Sequence, residues 1–219
     1  MKKEVKLNLM ITGVMFVLFA AFTALVMSFD VGKIGPKASE VGFSTVNLAV
    51  KEILGTNNVW YIISEIFGVV ALVTAAGFAI AGVVQLIQRK NIKKVDIHLI
   101  ILGFVYITVI VFYIIFELVT VNYRPVLVDG ALEASYPSSH TLLVYGIMIP
   151  SAMAFWSIVK IKPLKIIFLC VAIAITAVTV VGRLLSGVHW FTDIVGGVLL
   201  SNAVTMLYVS LCSIDESRQ

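Results

Sequence analysis

Long apolar runs alternate with short polar connections along the whole chain. A helix that crosses a bilayer needs roughly 20 apolar residues, and six runs approach or exceed that length, at 9–28, 60–87, 97–116, 141–158, 166–181 and 194–211. No internal repeat, low-complexity segment or linker divides the chain into separate units. The pattern therefore predicts an all-α integral membrane protein in which six transmembrane helices form a single domain, residues 1–219.

The composition agrees with that prediction, since 60% of the residues are hydrophobic and only 13% are charged. Such a chain cannot cover its surface in water as a soluble globular domain. The first run follows Lys2, Lys3 and Lys6 and could instead be a signal peptide, but it is longer than the usual apolar region of about 7–15 residues. We expect it to remain as the first span.

The basic residues lie beside the ends of the spans rather than along one continuous face. The net charge of +4 therefore gives no reason to expect a nucleic-acid partner. With both termini in the cytoplasm, eleven of the 16 basic residues are cytoplasmic: Lys2, Lys3, Lys6, Arg89, Lys90, Lys93, Lys94, Lys160, Lys162, Lys165 and Arg218. The other five are Lys33, Lys37, Lys51, Arg124 and Arg183. The positive-inside rule thus predicts a multi-pass cell-membrane protein with cytoplasmic termini.

This topology also makes predictions for the two cysteines and for the first outer connection. Cys170 and Cys212 fall within the membrane or toward the cytoplasm, where thiols stay reduced, so no disulfide is expected. The connection 29–59 opens with the turn-forming DVGKIGP. From Ser44 onward its apolar residues recur at near-helical spacing, which predicts a short helix lying along the membrane interface.

Chemically active residue types concentrate in the second and third outer connections. Together these connections carry Arg124, Ser138, Ser139, His140, Arg183, His189 and Asp193. Arginine offers a planar, permanently charged fork that suits phosphate oxygens, and charges close to the bilayer are costly enough to indicate function. Ser138 and Ser139 precede a long apolar helix, so they either bind an anion at its N-terminus or only cap it. The pattern indicates an anion site.

His189 and Asp193 are four residues apart and would share a face if the last helix begins near them. The carboxylate could then fix the imidazole tautomer and leave the other ring nitrogen free for nucleophilic attack, with His140 as the acid. A metal site with His140, His189 and Asp193 as ligands is the alternative. The two arginines would repel a cation and attract a phosphate, so the charges favour chemistry without a metal or other cofactor.

The motifs RP, PSSH and R-x5-H-x3-D occur in that order and resemble the tripartite signature of the type 2 phosphatidic acid phosphatase superfamily. The resemblance covers most of the chain and implies six membrane helices with the site at one face. It also implies that His189 forms a phosphohistidine, that His140 protonates the leaving oxygen and that Asp193 orients His189. Arg124, Arg183 and Ser138 would then hold the phosphoryl oxygens, and no metal is expected.

Three positions depart from that signature, K-x6-RP, PSGH and SR-x5-H-x3-D. Glu117 replaces the lysine, Ser139 replaces the glycine, and Gly182 replaces the serine before the arginine. Glu117 lies seven residues before Arg124, two helical turns away if the helix continues, so we expect it to pair with Arg124 or Arg183. Alternatively, it could meet a cationic group on the substrate. Glu65, Glu117 and Tyr136 are candidate supporting residues of the site.

The leading function is hydrolysis of a lipid phosphate or diphosphate at the outer membrane face, through a phosphohistidine. The resemblance implies substrates such as undecaprenyl diphosphate, phosphatidylglycerol phosphate or phosphatidic acid, and the sequence does not choose among them. A phosphotransferase that passes the phosphoryl group to a sugar or lipid is a second reading. A transporter or an inactive lipid-phosphate binder is a third, although no repeated halves are visible. The lipid is the expected partner, and no obligatory protein partner is evident.

Overall fold

The computed structural model describes residues 2–128 and 130–218. Seven α-helices run in chain order: α1 (Lys3–Ser28), α2 (Ser44–Leu54), α3 (Asn58–Arg89), α4 (Ile97–Leu118), α5 (Ser139–Ile158), α6 (Lys162–Leu185) and α7 (Phe191–Arg218). All except α2 are long and apolar enough to cross a membrane. The six spans and the short extra helix between the first two are therefore confirmed, and the protein is a multi-pass membrane protein.

The helices extend beyond the apolar runs that predicted them. α1 begins at Lys3 and α6 continues to Leu185, so Lys6 and Arg183 both lie inside helices. A hydropathy window stops at the first charged residue, whereas the backbone hydrogen bonds of a helix continue through it. Arg183 is thereby carried on the last turn of a rigid helix rather than in a loop.

Helices α5 and α7 form the centre of the bundle. About half of each is buried inside the protein, against 11–28% for the other four spans. They are also the two least apolar spans, because they face other helices rather than lipid. Small residues let the helices approach closely: a side chain at Gly197 of α7 would meet Thr141 of α5 at 2.9 Å. The ends of these two central helices carry the residues described next.

Helix α2 is fixed against the start of α7. The buried Asn47 donates from Nδ2 to Thr192 Oγ1 (2.9 Å) and accepts from the backbone N–H of Thr192 (3.1 Å). A second tie follows α2, where Asn57 N donates to Ser186 O (3.3 Å). Gly187 lies beside this tie with φ +70, and a Cβ there would be 2.5 Å from Gly55 O. Only glycine fits this turn without strain.

Candidate active site

One end of the bundle collects most of the polar residues that the sequence singled out. The starts of α3, α5 and α7 meet there with the end of α6, and the loops 119–138 and 186–190 cover the junction. Backbone pairing of Tyr123 with Ala134 folds the longer loop back on itself. Its Ser138 N donates to Asp193 O (3.0 Å), which joins the second and third motifs directly.

Arg183 is the centre of the polar network. Its guanidinium is almost fully buried, and Nη1 donates to Glu65 Oε1 (2.9 Å) and to Ser64 Oγ (3.2 Å). Nη2 lies 3.1 Å from His189 Nε2. An arginine is only a donor, so this contact requires Nε2 of His189 to be unprotonated and to carry a lone pair. The tautomer of the resting imidazole is therefore Nδ1–H.

His189 stands between this arginine and Asp193. Burial holds the pKa of His189 well below its usual value of 6.5, and the positive charges of Arg183 and Arg124 lower it further. The ring is consequently neutral at physiological pH. A neutral imidazole with its Nε2 lone pair beside a guanidinium has the form that a nucleophile requires.

Asp193 lies in the first turn of α7 beside His189, as its spacing predicted, but the predicted hydrogen bond is not formed. Oδ2 is 3.6 Å from His189 Nδ1, which is too long for a hydrogen bond. The same oxygen accepts from Trp190 N at 2.8 Å, and Oδ1 accepts from Asn122 Nδ2 at 3.4 Å. The carboxylate is held by these donors, so its effect on His189 is electrostatic in the resting site.

Glu65 is more central to the site than the supporting role predicted for it, because it contacts both His140 and Arg183. Its Oε1 is 3.2 Å from His140 Nε2 and 2.9 Å from Arg183 Nη1. One carboxylate oxygen thus bridges the predicted acid, His140, and Arg183, the arginine predicted to bind phosphate. His140 itself lies in the first turn of α5 and is a quarter exposed, with its ring packed on Gly68 of α3.

Arg124 forms its ion pair with Glu133, with Nε 3.2 Å from Oε2. The predicted pairing of Glu117 with Arg124 or Arg183 is wrong: within residues 2–128 and 130–218, neither arginine pairs with it. The prediction assumed that the helix continues past Glu117. α4 instead ends at Leu118 and the chain becomes extended at Val119, so the two residues do not share a helical face.

The serine pair and Tyr136 have mainly structural contacts. Ser138 is the N-cap of α5, and its hydroxyl accepts from Thr141 N (3.4 Å). Ser139 opens the helix and lines the cavity next to His140. The Tyr136 ring packs among phenylalanines of α1 and α4, and its hydroxyl bonds to Thr23 (2.8 Å). Phosphate binding by Ser138 and Ser139 stays a prediction.

Several contributing residues carried no motif in the sequence. Asn122 donates to Asp193 and accepts from Gly42 N (3.3 Å). The Tyr61 ring lies 5.2 Å from the guanidinium carbon of Arg183. Lys51 of α2 donates to Pro125 O (2.6 Å) and lies over the Trp190 ring. These contacts join residues far apart in sequence, so residue spacing could not reveal them.

A cavity of about 220 Å³ opens beside His140 and Glu65, between α3, α4 and α5. Its outer wall includes Val69 and Leu72, which are more than half exposed on the lipid-facing surface of α3. The described residues contain no group of three or more His, Cys, Asp or Glu side chains arranged to hold a metal ion. The arrangement instead combines a neutral imidazole, a buried guanidinium and a second histidine, which together suit attack on a phosphorus atom.

Comparisons with known proteins agree with the sequence motifs. Residues 117–214 match the family model described as PAP2 superfamily, and this segment contains Arg124, His140, Arg183, His189 and Asp193. No curated protein sequence shows a significant match. A crystal structure described as the first transmembrane PAP2 type phosphatidylglycerolphosphate phosphatase from Bacillus subtilis has the same fold. The TM-score is 0.62 at 18% identity, over 95% of this chain and 97% of that chain. Residues 117–214 are thus similar to the PAP2 superfamily, as the three motifs predicted, and the chain as a whole has the fold of a membrane PAP2 type phosphatase.

Proposed function

We propose that this protein hydrolyses a lipid phosphate, without a metal, through a phosphohistidine on His189. The observation that carries the proposal is the 3.1 Å contact between Arg183 Nη2 and His189 Nε2. In this contact an unprotonated ring nitrogen lies next to a guanidinium, which is a group that can hold phosphoryl oxygens, and this supports His189 as the nucleophile. The Bacillus subtilis protein of the same fold is described as a phosphatidylglycerolphosphate phosphatase, which supports a lipid phosphate as substrate.

The reaction begins when the phosphoryl group enters next to Arg183 and His189. Arg183 turns its donors from Nε2 to the phosphoryl oxygens, and Arg124 adds a second positive charge. Nε2 then attacks phosphorus, forming an N–P bond while the bond to the lipid oxygen breaks, and His140 gives that oxygen a proton. Water next attacks the phosphohistidine, His140 accepts its proton, and inorganic phosphate leaves with His189 restored.

The test is phosphate release by the purified full-length protein from a small panel of lipid phosphates, with a ³²P label to trap the intermediate. We expect a labelled protein whose label is stable in base and lost in acid, as a phosphohistidine is. Strong chelation should not change the rate, because the arginines supply the charge stabilisation that a metal would give. No phosphate release, or activity that a chelator removes and zinc alone restores, would overturn the proposal.

Product analysis separates hydrolysis from transfer. In the absence of an acceptor, a hydrolase releases inorganic phosphate at its full rate, whereas a phosphotransferase accumulates phosphorylated protein until a sugar or lipid alcohol is added. We expect the first result. Phosphate that appears on the acceptor and not in solution would assign the protein to the transferases.

We further propose that the site faces the outside of the cell, on the basis of the distribution of basic residues. In a protein with Cys170 and Cys212 replaced by serine, Ala131→Cys should react with a membrane-impermeant reagent in intact cells. Asn91→Cys, in the loop at the opposite end of the bundle, is the matched control and should react only after lysis. The reverse pattern would place the site in the cytoplasm.

A further inference from the structure

Glu65 lies where the leaving group of the reaction must go. Its Oε1 is 3.2 Å from Nε2 of His140, the group that the proposed mechanism uses to protonate the leaving oxygen. The Glu65 side chain is 40% exposed, into the cavity that opens toward lipid between α3, α4 and α5. A lipid held with its phosphoryl group at Arg183 would therefore have its next atoms beside this carboxylate.

The cavity wall offers nothing to balance a second negative charge. None of the eight described residues that line it is lysine or arginine, and His140 is its one basic side chain. Val69 and Leu72 form its apolar outer part. Arg183 is on the phosphoryl side, where it already bonds Glu65, and Arg124 is paired with Glu133. The leaving-group side of the site is thus acidic, whereas the phosphoryl side is basic.

We infer that Glu65 is a specificity-determining residue that makes the protein prefer phosphomonoesters of lipid alcohols over lipid diphosphates. This inference rests on the proposed hydrolytic function of the same site. With a monoester, the P–O bond to the alcohol breaks, and the oxygen takes a proton from His140 and leaves as a neutral hydroxyl. With a diphosphate, the terminal P–O bond breaks and a lipid monophosphate leaves, with its negative charge facing Glu65.

The size of this preference depends on how close the charge of the leaving lipid monophosphate comes to the Glu65 carboxylate, and on the partial burial of that carboxylate. Like charges a few ångströms apart near a protein surface repel strongly enough to change a rate constant about tenfold or more. A neutral glutamine at position 65 keeps the shape and can still accept from Arg183, but it removes the repulsion. Loss of a merely structural contact would instead lower the activity on both substrates by the same factor.

The experiment compares the monophosphate and the diphosphate of one long-chain alcohol, by kcat/KM for phosphate release from each. The parent protein should prefer the monophosphate, and Glu65→Gln should raise the diphosphate-to-monophosphate ratio by about tenfold or more. Glu52→Gln is the matched control, because Glu52 is an exposed carboxylate on α2 and does not line the cavity. It should leave the ratio unchanged.

A second variant covers the case in which Glu65→Gln does not fold. Val69→Lys keeps Glu65 but adds an ammonium one helical turn away on the same cavity wall, where it can offset the carboxylate charge, and it should raise the same ratio. The inference is overturned if the parent prefers the diphosphate, or if a folded variant lowers both activities and keeps the ratio. Release of phosphate from neither substrate by the parent would instead refute the proposed function.

Discussion

The two ends of the helix bundle both have a cavity, but they differ in the charged side chains beside it. The end opposite the candidate site has the larger cavity, about 510 Å³, lined by Glu4, His98 and Cys212 among others. There His98 Nδ1 lies 3.0 Å from the hydroxyl of Tyr208 and 3.5 Å from Cys212 Sγ. None of the described residues lining that cavity is lysine or arginine. The candidate site has a smaller cavity but a buried guanidinium.

Both ends thus have a cavity and titratable side chains, but among the described residues only the end with the candidate site has a buried positive charge. Burying an arginine is costly unless it is paired, and Arg183 is held by Ser64, Glu65 and His189. A guanidinium is also a group that binds phosphate oxygens in a bidentate manner. This difference supports the proposed phosphate chemistry at the end with Arg183, and variants at both ends of the bundle can test it.

The largest effect is expected for His189→Ala. We expect kcat to fall by at least about 10³-fold, because the replacement removes the nitrogen that bonds to phosphorus and leaves only binding and charge stabilisation. The folded state should persist, since the loop is held separately by the bonds of Asn47 and Asn57. Turnover within about tenfold of the parent would show that the nucleophile is another group.

Asp193→Asn should have a smaller effect, a fall in kcat of about 10–100-fold, because it removes one nearby charge and leaves the nucleophilic nitrogen in place. Asp193 is 3.6 Å from His189 Nδ1, so the charge rather than a short hydrogen bond is lost. Steady-state kinetics should show kcat reduced with little change in KM. A reduction as large as that of His189→Ala would show that Asp193 fixes the tautomer of His189 during the reaction, and not only its electrostatic surroundings.

The motifs identified these two residues because their relation is local. A spacing of four residues at the start of a helix places side chains on one face, whatever the rest of the fold does. Glu65 lies 118 residues before Arg183, and only the packing of α3 against α6 brings them together. The sequence did single out Glu65, because an ionisable side chain within an apolar run is unusual. It could not predict that His140 and Arg183 would be its contacts.

For Glu117 the prediction was wrong because it assumed a local relation that the structure does not contain. The pairing with Arg124 was a local prediction that needed the helix to continue, and α4 ends one residue later at Leu118. Val119 follows as the C-cap, with no glycine or proline to mark the end in the sequence. Hydropathy and spacing therefore predicted the six spans and the motif residues, whereas helix ends and contacts between distant residues required the structure.

The third prediction concerns the protonation of His189 in the free protein. Burial and the charges of Arg183 and Arg124 lower its pKa, so the ring should stay neutral as the pH falls through 6.5. An unperturbed imidazole would be about three-quarters protonated near pH 6. NMR of histidine-labelled protein, with His189 assigned by substitution, should show no titration between about pH 8 and about pH 6. A midpoint at or above 6.5 would contradict the inferred resting network.

That neutrality also has a consequence for stability. Because the folded-state pKa of His189 lies below its unfolded value, the unfolded chain binds the proton more readily. The contribution of this group to stability is therefore fully present above about pH 6.5 and is lost as the pH falls toward the folded pKa. The midpoints of thermal unfolding of the parent and of His189→Gln should therefore move closer together as the pH is lowered. Midpoints that move apart would contradict the lowered pKa of His189.

The smallest effect on activity is expected at the opposite end, where His98→Ala tests the comparison most directly. Helix α4 runs from Ile97 to Leu118, and 22 residues at about 1.5 Å each put the two ends roughly 33 Å apart. At that distance the His98 side chain cannot touch a phosphoryl group at Arg183. We therefore expect kcat/KM to stay within about threefold of the parent. Removing the hydrogen bond to Tyr208 should nevertheless cost about 1 kcal/mol of stability, which a lower midpoint of thermal unfolding would register.

Tyr208→Phe removes the same hydrogen bond from the other side and is the matched control, so its activity and its midpoint should change in the same way. If both variants instead lose activity about tenfold while they remain folded, then the larger cavity takes part in turnover and the buried arginine does not by itself locate the chemistry.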